Sequence, residues 1–386
     1  MSIKPFTFET VPKITMEWGG AGRIGATLRT QWAIRRVLFV TDSGLTRSGL
    51  VAPLIESLQE AGFEVTLYDQ VVADPSEAIL QNCVVAGQAA NIEAVLGVGG
   101  GSSLDVAKLA AILMGAKQPL SEMYGVDQVK GGRLPLILVP TTAGTGSEVT
   151  NVAVITREGT HKSGVVSAPL FADQVFLDAE LTLGLPASHT AATGVDAMVH
   201  AIEAYTGRVR KNPVSDHLAR SALALLFRHL VTACREPRHR GAREAMLLGA
   251  MLAGQAFANS PVGLVHGMAY PLGGYFHVPH GLSNALMLAP VLRFNARACA
   301  ALYAELGDAI GLPSEGDVST RAEAFISALE ALMDAAQMPR RLRDVGVTEE
   351  YLPILAADAI TQHRVLVNNP VAITEEEMVG LYRQAF

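Results

Sequence analysis

Short apolar segments alternate with helix-compatible stretches between residues 36 and 140. The apolar segments are RVLFVT (36–41), EVTLYD (64–69), AVLGVG (94–99) and LPLILVP (134–140). The helix-compatible stretches cover about 47–61, 76–90 and 104–114. Because each helix brings the chain back to the same end of the sheet, repeated strand–helix–strand units place their strands in parallel. This part of the chain therefore predicts an α/β domain with a parallel, doubly wound sheet.

After about residue 185 the pattern changes to Ala- and Leu-rich stretches with helical periodicity. These stretches are 188–206, 213–234, 241–258, 281–295 and 319–337. Gly184 and Pro186 interrupt the chain at the change of pattern. A chain of 386 residues also exceeds what one hydrophobic core usually serves. We predict an α/β domain over residues 1–185 and an all-helical domain over residues 186–386.

Charge and composition exclude several classes of partner. The formal net charge of −7 provides no basic field for nucleic acid. Asp105 and Lys108 interrupt the longest apolar stretch, so no membrane segment is expected. Cys83, Cys234 and Cys299 match neither a disulfide framework nor zinc-ribbon spacing, which favours reduced thiols. We expect a soluble cytoplasmic enzyme that acts on a small molecule.

Two polar, glycine-rich loops leave the ends of predicted strands. In the first, the run from Gly99 to Ser102 precedes a helix, so its backbone can approach a pyrophosphate that the helix N-terminus attracts. Asp105 falls in the first turns of that helix, and the alternative is a tight turn with Asp105 as an ordinary helix-start acid. The second loop, TTAGTGSEVT (141–150), offers hydroxyls and bare amides that suit phosphate and ribose.

Asp42 lies at the end of the first predicted strand. A carboxylate at this place can accept hydrogen bonds from a ribose diol. It would repel a 2′-phosphate, which favours NAD over NADP. The alternative is that Asp42 only caps the following helix.

Four residues in the second half form a candidate metal site. Asp196 and His200 stand four apart in GVDAMVHAIEAY, so a helix presents both on one face. His266 and His280 are separated by a Pro- and Gly-containing segment that can fold back. Three imidazoles and one carboxylate suit Fe²⁺ or Zn²⁺ and are too rich in nitrogen for Mg²⁺ or Ca²⁺. Spacing alone links only the first pair, and His200 taken alone is equally a hydrogen-bonded core histidine.

Taken together, the motifs resemble the iron-containing (group III) alcohol dehydrogenases over almost the whole chain. In order, they are GGGSSLDVAK, PTTAGTGSEVT, AATGVDAMVHAIEAY, GLVHGMAYPLGG, PHGLSNALMLAPVLRFN and LRDVGV. The resemblance implies the fold shared with dehydroquinate synthase: a Rossmann-like NAD-binding domain over 1–185 and a helical metal-binding domain over 186–386.

The resemblance also implies roles for individual residues. The ion, Fe²⁺ or alternatively Zn²⁺, is expected at Asp196, His200, His266 and His280. NAD is expected at Asp42, Asp74, Gly99, Gly100, Gly101, Ser102, Asp105, Thr141, Thr142, Gly144, Thr145 and Lys162. Phe257 and Tyr270 are expected to line the substrate pocket, with core packing as the alternative for Phe257.

Some positions depart from the family pattern. Ser103 and Leu104 replace the Pro-His of GGGSPHD, which changes the start of the helix rather than the chemistry. Tyr270 stands where many relatives have a histidine close to the metal and the proton path. His277 is therefore a candidate titrating group, with an exposed loop histidine as the alternative.

The expected reaction is hydride transfer between NAD and a metal-bound primary alcohol, diol or hydroxyaldehyde, in either direction. The family suggests a homodimer. One alternative is an NAD- and metal-dependent lyase similar to dehydroquinate synthase, which would need active-site Lys and Arg residues for a phosphate-bearing substrate. The metal-site motifs contain few of these. The other alternative, a non-catalytic nucleotide-binding protein, would have no reason to keep four metal ligands.

Overall fold

The structure is a computed structural model that describes residues 4–116, 118–157 and 162–386. The chain divides into two compact units. The α/β unit comprises residues 9–142 and 147–184, and the helical unit comprises residues 185–386, 143–146 and those up to Phe8. We propose that these units are the two domains predicted from the sequence.

The α/β unit is built on a six-stranded sheet in which every strand pair is parallel. The strands of the whole unit, in chain order, are β1 (Ile14–Met16), β2 (Arg36–Asp42), β3 (Glu64–Val71), β4 (Ala94–Gly99), β5 (Gly125–Val126), β6 (Leu136–Pro140), β7 (Val152–Thr156), β8 (Lys162–Val166) and β9 (Gln174–Leu177). Its helices are α1 (Ile24–Gln31), α2 (Ser43–Arg47), α3 (Ala52–Glu60), α4 (Glu77–Ala89) and α5 (Gly101–Gly115). The strand order in the main sheet is β1-β9-β6-β4-β2-β3, while β5, β8 and β7 form a second sheet. The predicted parallel sheet is confirmed.

The middle of the main sheet follows directly from the apolar sequence runs. Every residue of β4 and of β6 is buried, as expected for strands that are covered on both faces. Phe39 of β2 packs in the same core as Leu28 of α1 and Leu58 of α3. These central strands place the polar loops that follow them.

The carboxyl ends of β2, β4 and β6 lie side by side, because these strands are parallel neighbours. β3 and β4 flank β2 on opposite sides, so the strand order reverses at β2. Ligands of open α/β sheets bind outside the carboxyl ends of the strands at such a reversal. Asp42, Gly99 and Pro140 end these three strands, and the predicted cofactor loops start there.

The second unit is helical, as the sequence predicts. Its helices are α6 (Ala187–Thr206), α7 (Pro213–Arg235), α8 (Arg240–Asn259), α9 (Leu264–Phe276), α10 (His280–Ala309), α11 (Val318–Ala335), α12 (Leu352–Ala359), α13 (His363–Leu366) and α14 (Glu375–Ala385). α6 packs against α7, α8 and α10, and α9 packs against α10. The sequence predicts a helical stretch over 281–295, and its predicted end at residue 295 is wrong. α10 continues to Ala309 across a kink at Cys299, where the backbone is not helical (φ −130°, ψ 24°).

By length and composition, α10 is apolar enough to cross a membrane. A core helix passes the same test, and half of the most apolar window of α10 is buried in the protein. α10 packs against α6, α9 and α11. The burial of its apolar face is thus accounted for by neighbouring helices.

Lys108 joins α5 to the segment that follows β6. Its side chain is 0% exposed, and its Nζ donates to Thr150 Oγ1 at 3.1 Å and to the Val152 carbonyl at 2.9 Å. Burial lowers the pKa of Lys108 to about 8, against the opposing effect of Asp105 and Glu148. A buried ammonium with these partners therefore holds α5 against the segment around Thr150 and Val152.

We predict that Lys108→Ala lowers the free energy of unfolding by roughly 3 kcal/mol, because it leaves Asp105, whose side chain is only 14% exposed, without its nearby cation. Lys130→Ala, which removes an exposed lysine from the same unit, is the matched control. Urea denaturation of both variants measures the difference. Equal unfolding midpoints would show that the buried ammonium has no structural role.

Candidate active site

Three helices of the helical unit bring four predicted residues together. Asp196 and His200 lie one turn apart on the buried face of α6, His266 lies in the first turn of α9, and His280 begins α10. Their candidate ligand atoms all lie within 4.8 Å of one another. His266 and His280 are distant along the chain but close in space, because α9 and α10 pack against each other.

The spacing of these atoms is close to that required around a metal ion. Asp196 Oδ1 lies 3.6 Å from His280 Nε2, 3.7 Å from His266 Nε2 and 3.9 Å from His200 Nε2. Around a tetrahedral ion with bonds of about 2.0–2.2 Å, neighbouring ligand atoms lie roughly 3.4 Å apart. The three distances from Asp196 Oδ1 are therefore within about half an ångström of the tetrahedral value, and no pair of the four atoms is more than 4.8 Å apart.

Burial of the cluster is uneven. The side chains of Asp196, His200 and His266 are 3%, 6% and 2% exposed, whereas that of His280 is 34% exposed. The first three residues are thus shielded by protein, and His280 marks the more accessible side. A small molecule that approaches the cluster within the helical unit would do so beside His280.

The protonation states of the cluster suit a cation. Burial acts to raise the pKa of Asp196, but the neighbouring imidazoles and the Asn284 amide outweigh it and hold the pKa below its ordinary value. Burial lowers the pKa of His200, and it lowers the pKa of His266 well below its usual range. A carboxylate and neutral imidazoles are the forms in which these residues bind metals.

Asn284 is a neighbour of the cluster that sequence reasoning missed. Its Nδ2 donates to Asp196 Oδ1 at 2.6 Å and lies 3.2 Å from His266 Nε2 and 3.3 Å from His280 Nε2. Its Oδ1 is buried with no hydrogen-bond partner among the described residues. Asn284 Nδ2 therefore contacts three of the four candidate ligands and helps to hold them close together, and it is their one carboxylate and three imidazoles that suit Fe²⁺ or Zn²⁺. The sequence signal was the spacing of four between His280 and Asn284 on one helix.

Glu203 is a second neighbour that the sequence analysis did not identify. It contacts His266 at Nδ1, the ring nitrogen that faces away from Asp196. Its Oε2 lies 2.7 Å from His266 Nδ1, and its Oε1 accepts from the Val265 N–H at 2.7 Å. Burial raises the pKa of Glu203 to about 7, while backbone N–H groups at Gly263 and Val265 oppose the shift. Its position seven residues after Asp196, on the same face of α6, was the available signal.

Two predicted pocket residues lie against the imidazoles. The Phe257 ring stacks on His200 with centroids 4.3 Å apart and an interplanar angle of 27°. The Tyr270 ring lies nearly parallel to His280, with centroids 5.9 Å apart, and burial raises the pKa of its phenol. His277 is exposed and ends α9 in the left-handed region (φ 54°), and its titrating role stays a prediction.

In the α/β unit, the first glycine-rich loop forms the start of α5. Gly100 is the N-cap, and no side chain of the described residues caps the helix. Gly99 has φ +151°, and a Cβ there would lie 2.7 Å from the Ser103 side chain, so only glycine fits. Gly101 and Ser102 occupy the first turn. The backbone is accordingly arranged for close approach by an anion.

The second loop is held against the first. The Thr141 N–H donates to the Gly99 carbonyl at 2.9 Å, and a Cβ on Gly100 would lie 3.4 Å from Thr142 Cγ2. Gly144 and Thr145 belong to the helical unit, where a Cβ on Gly144 would lie 2.6 Å from Thr193 Cβ. The structure thus places Thr141 and Thr142 beside the first loop and groups Gly144 and Thr145 with the helical unit.

Two predicted cofactor carboxylates have structural partners. Asp42 Oδ1 accepts from the N–H groups of Gly44 and Leu45, at 2.9 and 3.1 Å, so Asp42 does cap α2. Asp105 lies past the first turn and accepts from Ser147 Oγ at 2.6 Å and from the Val154 N–H at 2.9 Å. These bonds correspond to the structural alternatives, and contacts of either residue with NAD stay predictions.

Asp74 and Lys162 form an ion pair. Lys162 Nζ lies 2.6 Å from Asp74 Oδ1, and the two side chains are 18% and 58% exposed. Asp74 has a positive φ of 51°, and its carbonyl accepts from Thr156 Oγ1 at 3.1 Å. The structure therefore brings these two predicted cofactor residues together near the start of β8.

Two family models match the chain. One, described as iron-containing alcohol dehydrogenase, matches residues 12–179, and the other, described as the C-terminal part of the Fe-containing alcohol dehydrogenase family, matches residues 190–386. The chain belongs to the iron-containing alcohol dehydrogenase family. The resemblance inferred from the motifs is confirmed, and the chain is an oxidoreductase that acts on CH–OH groups.

This iron-containing alcohol dehydrogenase is similar over its whole length to proteins with different named substrates. Long-chain-alcohol dehydrogenase 1 of Geobacillus thermodenitrificans strain NG80-2 is 36% identical over 100% of this chain and 98% of its own. A solved 1,3-propanediol oxidoreductase is 33% identical over 99% of this chain and 100% of its own, with a TM-score of 0.95. The sulfoacetaldehyde reductase of Bifidobacterium kashiwanohense, solved in complex with NAD⁺, is 28% identical over 99% of both chains, with a TM-score of 0.89.

We predict that Gly281→Ala disrupts the arrangement of the four candidate metal ligands in this dehydrogenase. A Cβ on Gly281 would lie 2.3 Å from the Ala192 carbonyl oxygen and 3.3 Å from Asp196 Cβ, so α10 would have to move away from α6. The expected results are a loss of roughly 1–3 kcal/mol in the free energy of unfolding and weaker binding of Fe²⁺ or Zn²⁺. Both are measured by denaturation and metal titration.

Gly380→Ala in α14 is the control for this substitution, because a Cβ there meets no atom of the described chain within 4 Å. It should retain metal binding and gain a little helix stability. Wild-type metal affinity in Gly281→Ala would contradict the close helix contact.

Proposed function

We propose that this protein is an NAD-linked, metal-dependent alcohol dehydrogenase that interconverts a primary alcohol and its aldehyde. The observation that carries the proposal is the convergence of Asp196, His200, His266 and His280 in a chain of this family. Family membership supports the dehydrogenase over the lyase and over a non-catalytic binding protein.

We assign the ion to these four side chains, and their chemistry suits Fe²⁺ or Zn²⁺. When bound, a divalent cation supplies Lewis acidity that polarises the oxygen of an alcohol or carbonyl substrate. Phe257 covers His200 and keeps water from that side of the cluster. Tyr270, beside the more exposed His280, forms a wall of the approach. Its phenol is protonated at neutral pH and can donate a hydrogen bond, and burial raises its pKa further above neutrality.

We assign NAD to the carboxyl edge of the main sheet. The backbone from Gly99 to Ser102 and the N-terminus of α5 suit the pyrophosphate. Because the helix cap uses Oδ1 of Asp42, its Oδ2 is the atom that we assign to the ribose hydroxyls. A carboxylate at that place favours NAD over NADP. The NAD⁺ complex of the sulfoacetaldehyde reductase supports this choice of cofactor.

We infer that the substrate is a primary alcohol, a diol or the corresponding aldehyde. The names of the similar proteins refer to long-chain alcohols, 1,3-propanediol and sulfoacetaldehyde. The task of the protein is to hold the donor carbon and the nicotinamide within roughly 3–3.5 Å of each other while water is excluded.

A substrate panel tests this proposal. Anaerobically purified protein, loaded with Fe²⁺ or with Zn²⁺, is given NAD⁺ and primary alcohols of increasing length, diols and hydroxyaldehydes, and NADH is followed by absorbance. Net NADH formation that depends on the metal is expected. A lyase would give turnover without net reduction of cofactor, a binding protein would give no turnover, and either result would contradict the proposal.

We predict that His266→Ala lowers kcat at least about 100-fold, because losing one ligand removes several kcal/mol of charge stabilisation by the ion. Metal content, measured by elemental analysis, should fall in the same variant. His217→Ala removes an exposed histidine of α7 and is the control. Unchanged turnover and metal content in His266→Ala would exclude the assigned ligand set.

We also propose, from the family alone, that the protein works as a homodimer in the cytoplasm. Light scattering on the purified protein should give twice the chain mass of 40.8 kDa. A mass equal to that of one chain would exclude the homodimer.

A further inference from the structure

The face of α6 that carries Asp196 and His200 also carries a buried carboxylate, Glu203. Asp196, His200 and Glu203 all point into the same buried region, and Glu203 is only 6% exposed as a residue. A carboxylate is placed in such surroundings only if its oxygens are hydrogen bonded. Both oxygens of Glu203 have partners, and both partners lie at the start of α9.

One oxygen anchors the carboxylate. Oε1 accepts from the Val265 N–H at 2.7 Å, in the first turn of α9, where backbone donors and the helix dipole favour a negative charge. This bond leaves Oε2 aimed at the ring of His266, the next residue along the chain. The anchor therefore fixes where the second oxygen lies.

The second oxygen determines how His266 carries its proton. Oε2 lies 2.7 Å from Nδ1, and the amide donor of Asn284 faces the other ring nitrogen, so the single proton of the neutral imidazole belongs on Nδ1 with Oε2 as its acceptor. The neutral imidazole then has its lone pair on Nε2. Asn284 Nδ2, a donor, lies 3.2 Å from Nε2, which agrees with an acceptor at that atom. The hydrogen bonds on both sides of the ring thus favour the same tautomer.

We propose that Glu203 is a positioning residue that holds His266 in the Nδ1–H tautomer and thereby presents its Nε2 lone pair to the catalytic ion. The inference rests on the proposed metal-dependent function. A carboxylate that orients a ligating histidine in this way typically changes metal affinity 10- to 100-fold. Glu203 contacts the His266 ring and acts through it.

Two substitutions separate hydrogen-bond polarity from packing. Glu203→Gln keeps the shape of the side chain, and its Oε1 can still accept from the Val265 N–H, but its amide NH₂ would donate to Nδ1 and move the proton to Nε2. Glu203→Asp keeps an acceptor but is one methylene shorter. A purely structural role ranks Gln above Asp, whereas the tautomer role ranks Asp above Gln. Glu315→Gln, in an exposed loop, is the charge-matched control.

The test is Co²⁺ binding to the metal-free proteins, followed by visible absorption in competition with a chelator, together with the thermal unfolding midpoint of each metal-free form. We expect Glu203→Gln to bind Co²⁺ roughly 10- to 100-fold more weakly than Glu315→Gln with a similar midpoint, and Glu203→Asp to bind at least threefold better than Glu203→Gln. Affinity of Glu203→Gln equal to that of the control, or equal to or above that of Glu203→Asp, overturns the proposal.

A measurement on the unaltered protein keeps the proposal testable if the variants fail to fold. Long-range ¹⁵N–¹H correlation spectra of the zinc-loaded, histidine-labelled protein report which ring nitrogen of His266 carries the proton. A proton on Nδ1 is expected, and a proton on Nε2 overturns the proposal. Wild-type protein that binds neither Co²⁺ nor Zn²⁺ contradicts the proposed function instead, so the two failures are distinguishable.

Discussion

The negative charge of the buried Asp196 carboxylate is the constraint on which the candidate metal site depends. The Asp196 carboxylate and three imidazoles converge within 4.8 Å, and burial disfavours the cationic form of His200 and His266. Neutral imidazoles cannot supply the positive charge that a buried carboxylate requires. A divalent cation can, and its binding energy then stabilises the same helix packing that assembles its ligands.

The packing around the cluster is arranged to hold these ligands close together. Gly281 lets α10 approach the backbone of α6 at Ala192, beside Asp196. Glu203 connects α6 to the start of α9. Gly281 and Glu203 therefore determine how closely α6, α9 and α10 pack, and this packing sets the distances among the four ligand side chains.

Local sequence patterns predicted much of the fold. The buried strands β4 and β6 stand out as apolar runs, and the helices of the second half follow from their periodicity. The predicted end of α10 was too early, because α10 consists of two helical parts that meet at a kink at Cys299. Asp42 shows the limit of a single position, since a strand-end acid suits either a helix cap or a ribose, and the structure contains the cap.

The site could be predicted only in part. Spacing along one helix pairs Asp196 with His200, but His266 and His280 join them through helix packing, which required the family resemblance. Helix spacing could have placed Glu203 and Asn284 on the faces that carry the ligands, but their contacts join residues 63 and 88 positions apart, and no local pattern encodes a contact at that distance. Long-range hydrogen bonds of this kind are set by tertiary structure.

X-ray absorption spectroscopy of anaerobically loaded protein tests the central claim most directly. We expect one tightly bound ion per chain, with only nitrogen and oxygen neighbours at about 2.0–2.2 Å and the scattering pattern of three imidazoles. Loss of one imidazole from that pattern should follow His280→Ala. Sulfur neighbours, fewer than three imidazoles in the unaltered protein, or an unchanged spectrum in the variant would contradict the assignment.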